Sequence, residues 1–74
     1  MRVVEISREP VELYKILKFE GMVATGGEAK QVIAEGQVLV NGEVETRKRK
    51  KIVTGDTIEF EQDLIRIQLT KAGN

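Results

Sequence analysis

The stretch GEAKQVIAEGQVLVNG, residues 27–42, contains the signals for a helix and for the hairpin that follows it. Thr25 stands three residues before Glu28, which is the spacing of a capping box at the start of a helix. Gly36 suits the left-handed position that commonly follows the last turn of a helix. We therefore predict a helix over about residues 26–35. Its apolar face is formed by Ala29, Val32 and Ile33.

The end of the same stretch predicts a β-hairpin. Asn41-Gly42 is typical of a tight turn, and it lies between segments in which apolar residues alternate with others. A two-residue turn would pair Val40 with Glu43, whereas a longer loop would pair Val40 with Val44. We favour the longer loop, because it places apolar side chains opposite each other.

The residues before this stretch predict a strand and a first helix. RVVEI, residues 2–6, has the period-two placement of apolar residues that is typical of a strand. Pro10 suits the first position of a helix, where a missing N–H costs nothing, and Gly21 suits its end. We predict a helix over about residues 10–20. Its apolar side is formed by Leu13, Ile16 and Leu17, with Val11 and Tyr14 beside them.

The last third of the chain predicts further short strands. Gly55-Asp56 indicates a turn within KIVTGDTIEF, residues 51–60, between two apolar segments. LIRIQL, residues 64–69, alternates in the same way, which would place Ile65, Ile67 and Leu69 on one face and Arg66 and Gln68 on the other. We expect the C-terminal residues 70–74 to fray.

Together these segments predict one α+β domain over residues 1–74, with two packed helices against a small, mainly antiparallel sheet of short strands. No apolar run approaches the ~20 residues of a membrane span. Residues 1–10 lack the apolar core and cleavage site of a signal peptide. Cysteine is absent, which suits a reducing compartment. We therefore expect a cytoplasmic monomer with no membrane partner.

The composition argues against catalysis. The 74 residues include no histidine and no cysteine, which are the commonest general bases, nucleophiles and transition-metal ligands. The carboxylates are scattered, and no close pair lies among apolar residues that would raise the pKa of one partner. We therefore expect no enzyme activity, no cofactor and no bound metal.

Five basic residues are consecutive in RKRKK, residues 47–51, which we call the basic run. The chain has 12 basic and 12 acidic residues, so outside the run seven basic residues stand against 12 acidic ones. A polyanion would therefore be attracted to one patch with acidic surroundings. The alternative is an edge strand whose lysines oppose aggregation, although that role does not require five cations in succession.

Residues 25–58 resemble the RNA-binding domain that is named after ribosomal protein S-four and is also called the αL motif. The chain looks like the small stand-alone bacterial version of this domain, and the resemblance covers nearly all of the fold once the first helix is included. The chain departs from the family where Val11-Glu12-Leu13 replaces Arg-Leu-Asp and where Gly26 replaces an arginine. The matching positions are Thr25, Glu28, Ala29, Lys30, Ile33, Gly36, Val38, Val40, Asn41, Gly42, Val53, Gly55, Asp56 and Ile58.

The resemblance implies a structured RNA partner, either ribosomal or transfer RNA or the ribosome itself, that binds the second helix and the nearby loop. The residue types agree, because Lys30 and Gln31 would project from the exposed side of that helix. The N–H groups of Gly26 and Gly27 would meet a phosphate at its start. We expect Lys30 and the basic run to share one face. The candidate RNA-binding residues are Thr25, Gly26, Gly27, Lys30, Gln31, Arg47, Lys48, Arg49, Lys50 and Lys51.

We expect such an RNA to be recognised by its shape. The aromatic residues are Tyr14, Phe19 and Phe60, and at least two of them have the setting of core residues. An aromatic platform for stacked bases is therefore not evident. The phosphates and 2′-hydroxyls of a folded RNA are the expected targets.

Two other functions fit parts of the sequence. A protein–protein adaptor could bind an acidic partner through the basic run. A β-grasp-type carrier also combines Val-Asn-Gly with Gly-Asp, but it works through a C-terminal Gly-Gly, whereas this sequence ends in Ala-Gly-Asn. Simpler local interpretations also exist, since capping alone accounts for Thr25 and turn geometry alone accounts for Asn41-Gly42.

Overall fold

The structure, a computed structural model, describes residues 1–70. The predicted fraying of the C-terminal tail lies outside the described residues, apart from its first position. Neither described helix is long and apolar enough to cross a bilayer. The elements in chain order are β1 (Arg2–Ile6), β2 (Val11–Glu12), α1 (Leu13–Phe19), α2 (Gly26–Ala34), β3 (Val38–Val40), β4 (Glu43–Val44), β5 (Lys51–Ile52), β6 (Thr57–Phe60) and β7 (Asp63–Leu69).

The strands form two sheets. The larger sheet has the order β1-β7-β6-β3-β4, in which β1 runs parallel to β7 and the other neighbours are antiparallel. The smaller sheet pairs β2 with β5 in antiparallel orientation. Helices α1 and α2 pack against each other. The predicted α+β domain, with two packed helices and a small, mainly antiparallel sheet, is confirmed.

The apolar residues that were predicted for the two helices form the core together with alternate residues of the strands. Full burial of each such side chain contributes about 1.5–3 kcal/mol. No polar or charged residue in the described part of the chain is buried. The buried residues are Val4, Leu13, Ile16, Leu17, Val23, Ala29, Val32, Ile33, Val38, Val40, Ile52, Ile58, Phe60, Ile65 and Ile67.

Helix α1 begins later than the sequence predicts. Pro10 does not occupy its first position, because Val11–Glu12 form β2 and pair with Lys51–Ile52 in β5. The prediction of a helix from about residue 10 is therefore wrong at its start and is confirmed from Leu13 onward. Strand pairing with a distant segment replaces the first helical turn.

The hairpin between β3 and β4 has the shorter of the two possible turns. Asn41-Gly42 forms a two-residue turn that pairs Val40 with Glu43, so the prediction of a longer loop is wrong. Both turn residues have a positive φ, 54° at Asn41 and 83° at Gly42, as a type I′ turn requires. The apolar partner of Val40 is Ile58 on β6. Because β6 supplies this contact, the edge strand β4 stays exposed.

Candidate functional site

The start of α2 is fixed by the predicted capping box. The Thr25 hydroxyl accepts a hydrogen bond from the Glu28 N–H (3.0 Å), and the Glu28 carboxylate accepts one from the Ala24 N–H (3.0 Å). The predicted capping by Thr25 and Glu28 is confirmed, with the carboxylate reaching one residue before the helix cap. The N–H groups of Gly26 and Gly27 donate to no acceptor within residues 1–70.

Gly26 and Gly27 are not required by the backbone of α2. Neither has a positive φ. A Cβ built at either position would lie 3.9 Å from the nearest atom, when the adjacent residues and the helix backbone are left out. This is an ordinary van der Waals distance. Glycine in a helix is less favourable than alanine by about 1 kcal/mol. The fold would therefore accept alanine, and the two glycines leave the start of α2 without side chains.

Tyr14 lies between Lys30 and the basic run. The Lys30 ammonium lies 4.7 Å from the centroid of the Tyr14 ring, which is a cation–π distance. The same ring borders the space above Gly26. The backbone N–H of Tyr14 donates to the Lys48 carbonyl (3.1 Å). Lys30 and the basic run thus contact one residue of α1, which sequence reasoning had placed only beside the core.

The backbone of the basic run closes the start of α1. The Lys50 carbonyl accepts from the Leu13 N–H (2.9 Å), next to the bond between Lys48 and Tyr14. Helix α1 has no side-chain cap of its own, so these carbonyls satisfy N–H groups that would otherwise lack an acceptor. The Lys50 N–H donates to the Arg47 carbonyl (3.1 Å) in a turn that leads into β5. The backbone of the run is therefore fixed, while its side chains are exposed or, at Lys50, half-buried.

Arg47 is the member of the run that forms an ion pair within the described residues. Its Nε and Nη2 donate to the two carboxylate oxygens of Glu45 (2.9 and 3.0 Å). Its backbone N–H donates to the same carboxylate (2.9 Å). These hydrogen bonds lower the pKa of Glu45 from 4.5 to about 2. Because Arg47 is partly neutralised, the other four cations of the run are the stronger candidates for contact with an anion.

The two predicted side chains on α2 have different surroundings. Lys30 is half-buried over Tyr14, so it projects less freely than the sequence predicts. Gln31 is exposed, and its side-chain amide donates to Glu35 (3.2 Å). Glu35 also accepts a hydrogen bond from Gln37 (2.8 Å). Since a carboxylate beside Gln31 would repel a phosphate, Gln31 is a weaker candidate for anion contact than Lys30.

A family model for the S4 domain matches residues 4–68 of the chain. The chain is 60% identical over 50 residues to Putative RNA-binding protein YbcJ of Escherichia coli strain K12, covering 68% of this chain and 71% of that protein. It is 36% identical over 58 residues to Probable ribosome maturation protein RlbA of Bacillus subtilis strain 168, covering 78% of this chain and 82% of that protein.

The fold is also similar to a solved structure. The solution structure of YbcJ from Escherichia coli is described as revealing an αL motif involved in RNA-binding. It superposes on this chain with a TM-score of 0.70 and 46% sequence identity. The superposition covers 92% of this chain and 87% of the other.

Proposed function

The chain belongs to the S4 domain family, and from this premise we propose that it binds structured RNA and catalyses no reaction. The name of the Escherichia coli relative refers to RNA binding, and that of the Bacillus subtilis relative refers to ribosome maturation. These names support RNA as the partner and favour ribosomal RNA or the ribosome over transfer RNA. The family match, the fold and the segregated positive charge all agree with this proposal.

The observation that carries the proposal is that the N-terminus of α2, close to Lys30, has no side chains at Gly26 and Gly27. The fold has room for a Cβ at Gly26 and at Gly27, and glycine has a lower helix propensity than alanine. The two glycines therefore do not make the protein more stable. Their N–H groups lack acceptors within residues 1–70 and point out of a helix N-terminus, where a phosphate oxygen is favoured. Without side chains, the RNA backbone can approach these donors closely.

In the proposed mode of binding, the phosphate at the start of α2 is one of several. Lys30 contacts this phosphate or the next one along the RNA. The side chains of the basic run, on the other side of Tyr14, contact further phosphates. Three to five such contacts would give a slope of log affinity against log salt of roughly −0.7 to −0.9 per phosphate. Thr25 supports the site by fixing the helix start. The proposed site comprises Thr25, Gly26, Gly27, Lys30, Gln31, Arg47, Lys48, Arg49, Lys50 and Lys51.

Gly27→Ala tests this mode of binding because stability and affinity should change in opposite directions. Alanine should raise the free energy of unfolding by up to about 1 kcal/mol, since it favours the helix. Its methyl group should weaken RNA binding roughly tenfold by holding the phosphate away from a charge-assisted donor. Urea denaturation and fluorescence anisotropy with ribosomal RNA fragments measure the two quantities.

The control is Ala34→Gly, at the other end of the same helix on an exposed position. It should lower the free energy of unfolding by up to about 1 kcal/mol and leave RNA affinity unchanged. If Gly27→Ala is as active in RNA binding as the wild type, the start of α2 is not the phosphate site.

A protein–protein adaptor is the second candidate, because an acidic protein partner would also be attracted to the basic run. RNase treatment of a pull-down from cell extract separates the two functions. An RNA-binding protein releases the molecules that RNA had tethered to it, whereas an adaptor retains its protein partner.

A further inference from the structure

Phe19, the last residue of α1, is 66% exposed. A single exposed apolar side chain is ordinary on a protein surface. Phe19, however, has a cation beside it, because the Lys18 ammonium lies 5.7 Å from the centroid of its ring. Phe60 is buried and Tyr14 is half-buried, so Phe19 is the aromatic residue whose ring is open to solvent.

Phe19 lines an open groove of about 760 Å³ that lies between α1 and the segment joining β1 to β2. This volume is within the range of roughly 300–1,000 Å³ that is typical of small-molecule sites, so a nucleotide can be accommodated. Tyr14 and Val11 contribute further apolar surface. The basic residues that line the groove are Arg8, Lys15, Lys18 and Lys51.

Three carboxylates also line this groove, and two of them already have cationic partners. Glu12 pairs with Lys15 (3.5 Å), and Glu20 pairs with Arg2 (3.2 Å). The third, Glu5, lies on β1. The cations that line the groove outnumber the carboxylates, and Lys18 and Lys51 form no ion pair within residues 1–70. The charge of the groove therefore suits an anionic chain better than a basic or neutral one.

Lys51 connects the groove to the basic run. It lines the groove and also a second hollow of about 440 Å³. The other residues of that hollow, Arg47, Arg49 and Lys50, all belong to the basic run. A nucleic acid strand whose phosphates lie on the run can therefore continue past Lys51 toward Phe19 over positively charged surface.

We propose that Phe19 stacks against an unpaired base of the bound RNA, while Lys18 and Lys51 contact the phosphates that flank this base. The inference rests on the proposed RNA binding and adds a property of the substrate. An aromatic ring stacks on any base, so this contact selects RNA with a single-stranded extension or bulge beside its folded part, without selecting a sequence. Fully paired RNA would use the phosphate contacts alone.

The test compares two RNA hairpins that differ only in the bases of a short single-stranded tail. One tail consists of adenosines, and the other has the same sugars and phosphates with abasic sites. Fluorescence anisotropy at fixed salt should show that the wild-type protein binds the adenosine-tailed hairpin about tenfold more tightly. Phe19→Ala should bind both hairpins with the affinity that the wild type has for the abasic one.

Two further variants separate stacking from simple apolar contact. Phe19→Trp should keep the preference for the adenosine tail, because it keeps a flat aromatic ring, whereas Phe19→Leu should lose it. Position 19 is exposed, so these variants should fold like the wild type.

Four outcomes would overturn the inference, the last of them together with the proposed function. A wild-type protein that binds both hairpins equally has no base-stacking site, and a preference that survives in Phe19→Ala lies elsewhere. A preference that Phe19→Leu retains reflects apolar contact without stacking. Absence of wild-type binding to either hairpin contradicts the proposed function itself and the inference with it.

Discussion

The two helices end alike and begin differently. Each is followed by a glycine with a positive φ, 71° at Gly21 and 77° at Gly36. In both cases this glycine and the next residue donate their N–H groups to carbonyls of the last turn, in the pattern of a Schellman motif. At its start, α2 is capped by its neighbour Thr25, whereas α1 is capped by the carbonyls of Lys48 and Lys50.

This difference shows that the basic run has two roles. Its backbone carbonyls stabilise the fold, and its side chains belong to the proposed binding site. The carbonyls of Lys48 and Lys50 hold the start of α1, and every side chain of the run except Arg47 is without an ion pair within residues 1–70. The hydrogen bonds that cap the start of α2 come from Thr25 and Glu28, which lie within the same turn. We therefore expect that displacing the backbone of the run destabilises α1, whereas replacing its side chains changes RNA affinity.

The largest expected effect comes from Ile52→Ala. Ile52 is fully buried and anchors β5, the strand that follows the basic run. Its truncation should lower the free energy of unfolding by about 2–5 kcal/mol. Loosening of β5 should also detach the run from α1, so the amides of Leu13 and Tyr14 should lose more protection from hydrogen exchange than global unfolding explains.

Ile33→Ala is the matched control, because Ile33 is an equally buried isoleucine that lies on α2. It should cost a similar amount without selective loss of protection at Leu13 and Tyr14. Ile52→Val, at about 0.5–1.5 kcal/mol, gives a milder test if the alanine variant does not fold. Equal protection at the two amides in both variants would show that the run does not hold α1.

The second prediction concerns the side chains of the run. Combined replacement of Arg47, Arg49 and Lys51 with alanine should weaken RNA binding by about an order of magnitude or more, and should make the salt slope about two to three units shallower. The capping carbonyls are retained, so the amides of α1 should keep their protection. Filter binding at several salt concentrations measures the affinity.

Arg49→Ala and Arg66→Ala form a matched pair of single variants, since both arginines are exposed but Arg66 lies on β7. Only Arg49→Ala should weaken binding measurably. An equal loss in both would indicate diffuse attraction to the whole surface in place of a site.

Thr25→Ala should have a smaller effect, because it removes the local cap of α2. The expected loss in the free energy of unfolding is about 1 kcal/mol, and Thr25→Ser should restore most of it, since serine keeps the hydroxyl acceptor. Chemical denaturation of the three proteins provides the measurement. A cost near zero for Thr25→Ala would mean that α2, like α1, is held mainly by tertiary contacts.

The smallest effect should be the pH dependence of the pair between Glu45 and Arg47. The pKa of Glu45 is lowered from 4.5 to about 2, so its contribution to stability is fully present above pH 4.5 and is lost as the pH falls through about 2. Glu45→Gln should lower the free energy of unfolding by the same small amount at every pH above 4.5, and should remove the loss that the wild type shows as the pH falls through about 2. NMR titration of the Glu45 carboxylate gives the pKa directly, and a value near 4.5 would contradict the pairing.

The sequence predicted the parts of the candidate site that depend on local pattern. The capping box at Thr25 and the position of Lys30 on α2 follow from spacing along a single helix. The part played by Tyr14 could not be predicted in this way, because its ring contacts Lys30 while its N–H contacts the run. The exposure of Phe19 could not be predicted either. Helical periodicity gives the side of the helix on which an aromatic residue lies, but not whether another part of the chain covers it.

The sequence by itself determined where the two helices end, where α2 begins and which residues of the core strands face inward. Each of these signals involves only residues that are close to one another in the sequence. Only the tertiary structure decided the start of α1, the pairing of Val40 and the two contacts of Tyr14, with the Lys30 ammonium through its ring and with the Lys48 carbonyl through its N–H. Each of these joins residues that are distant in sequence. Such contacts stabilise the chain only after the entropic cost of closing the loop between them has been met, and no local pattern records that balance.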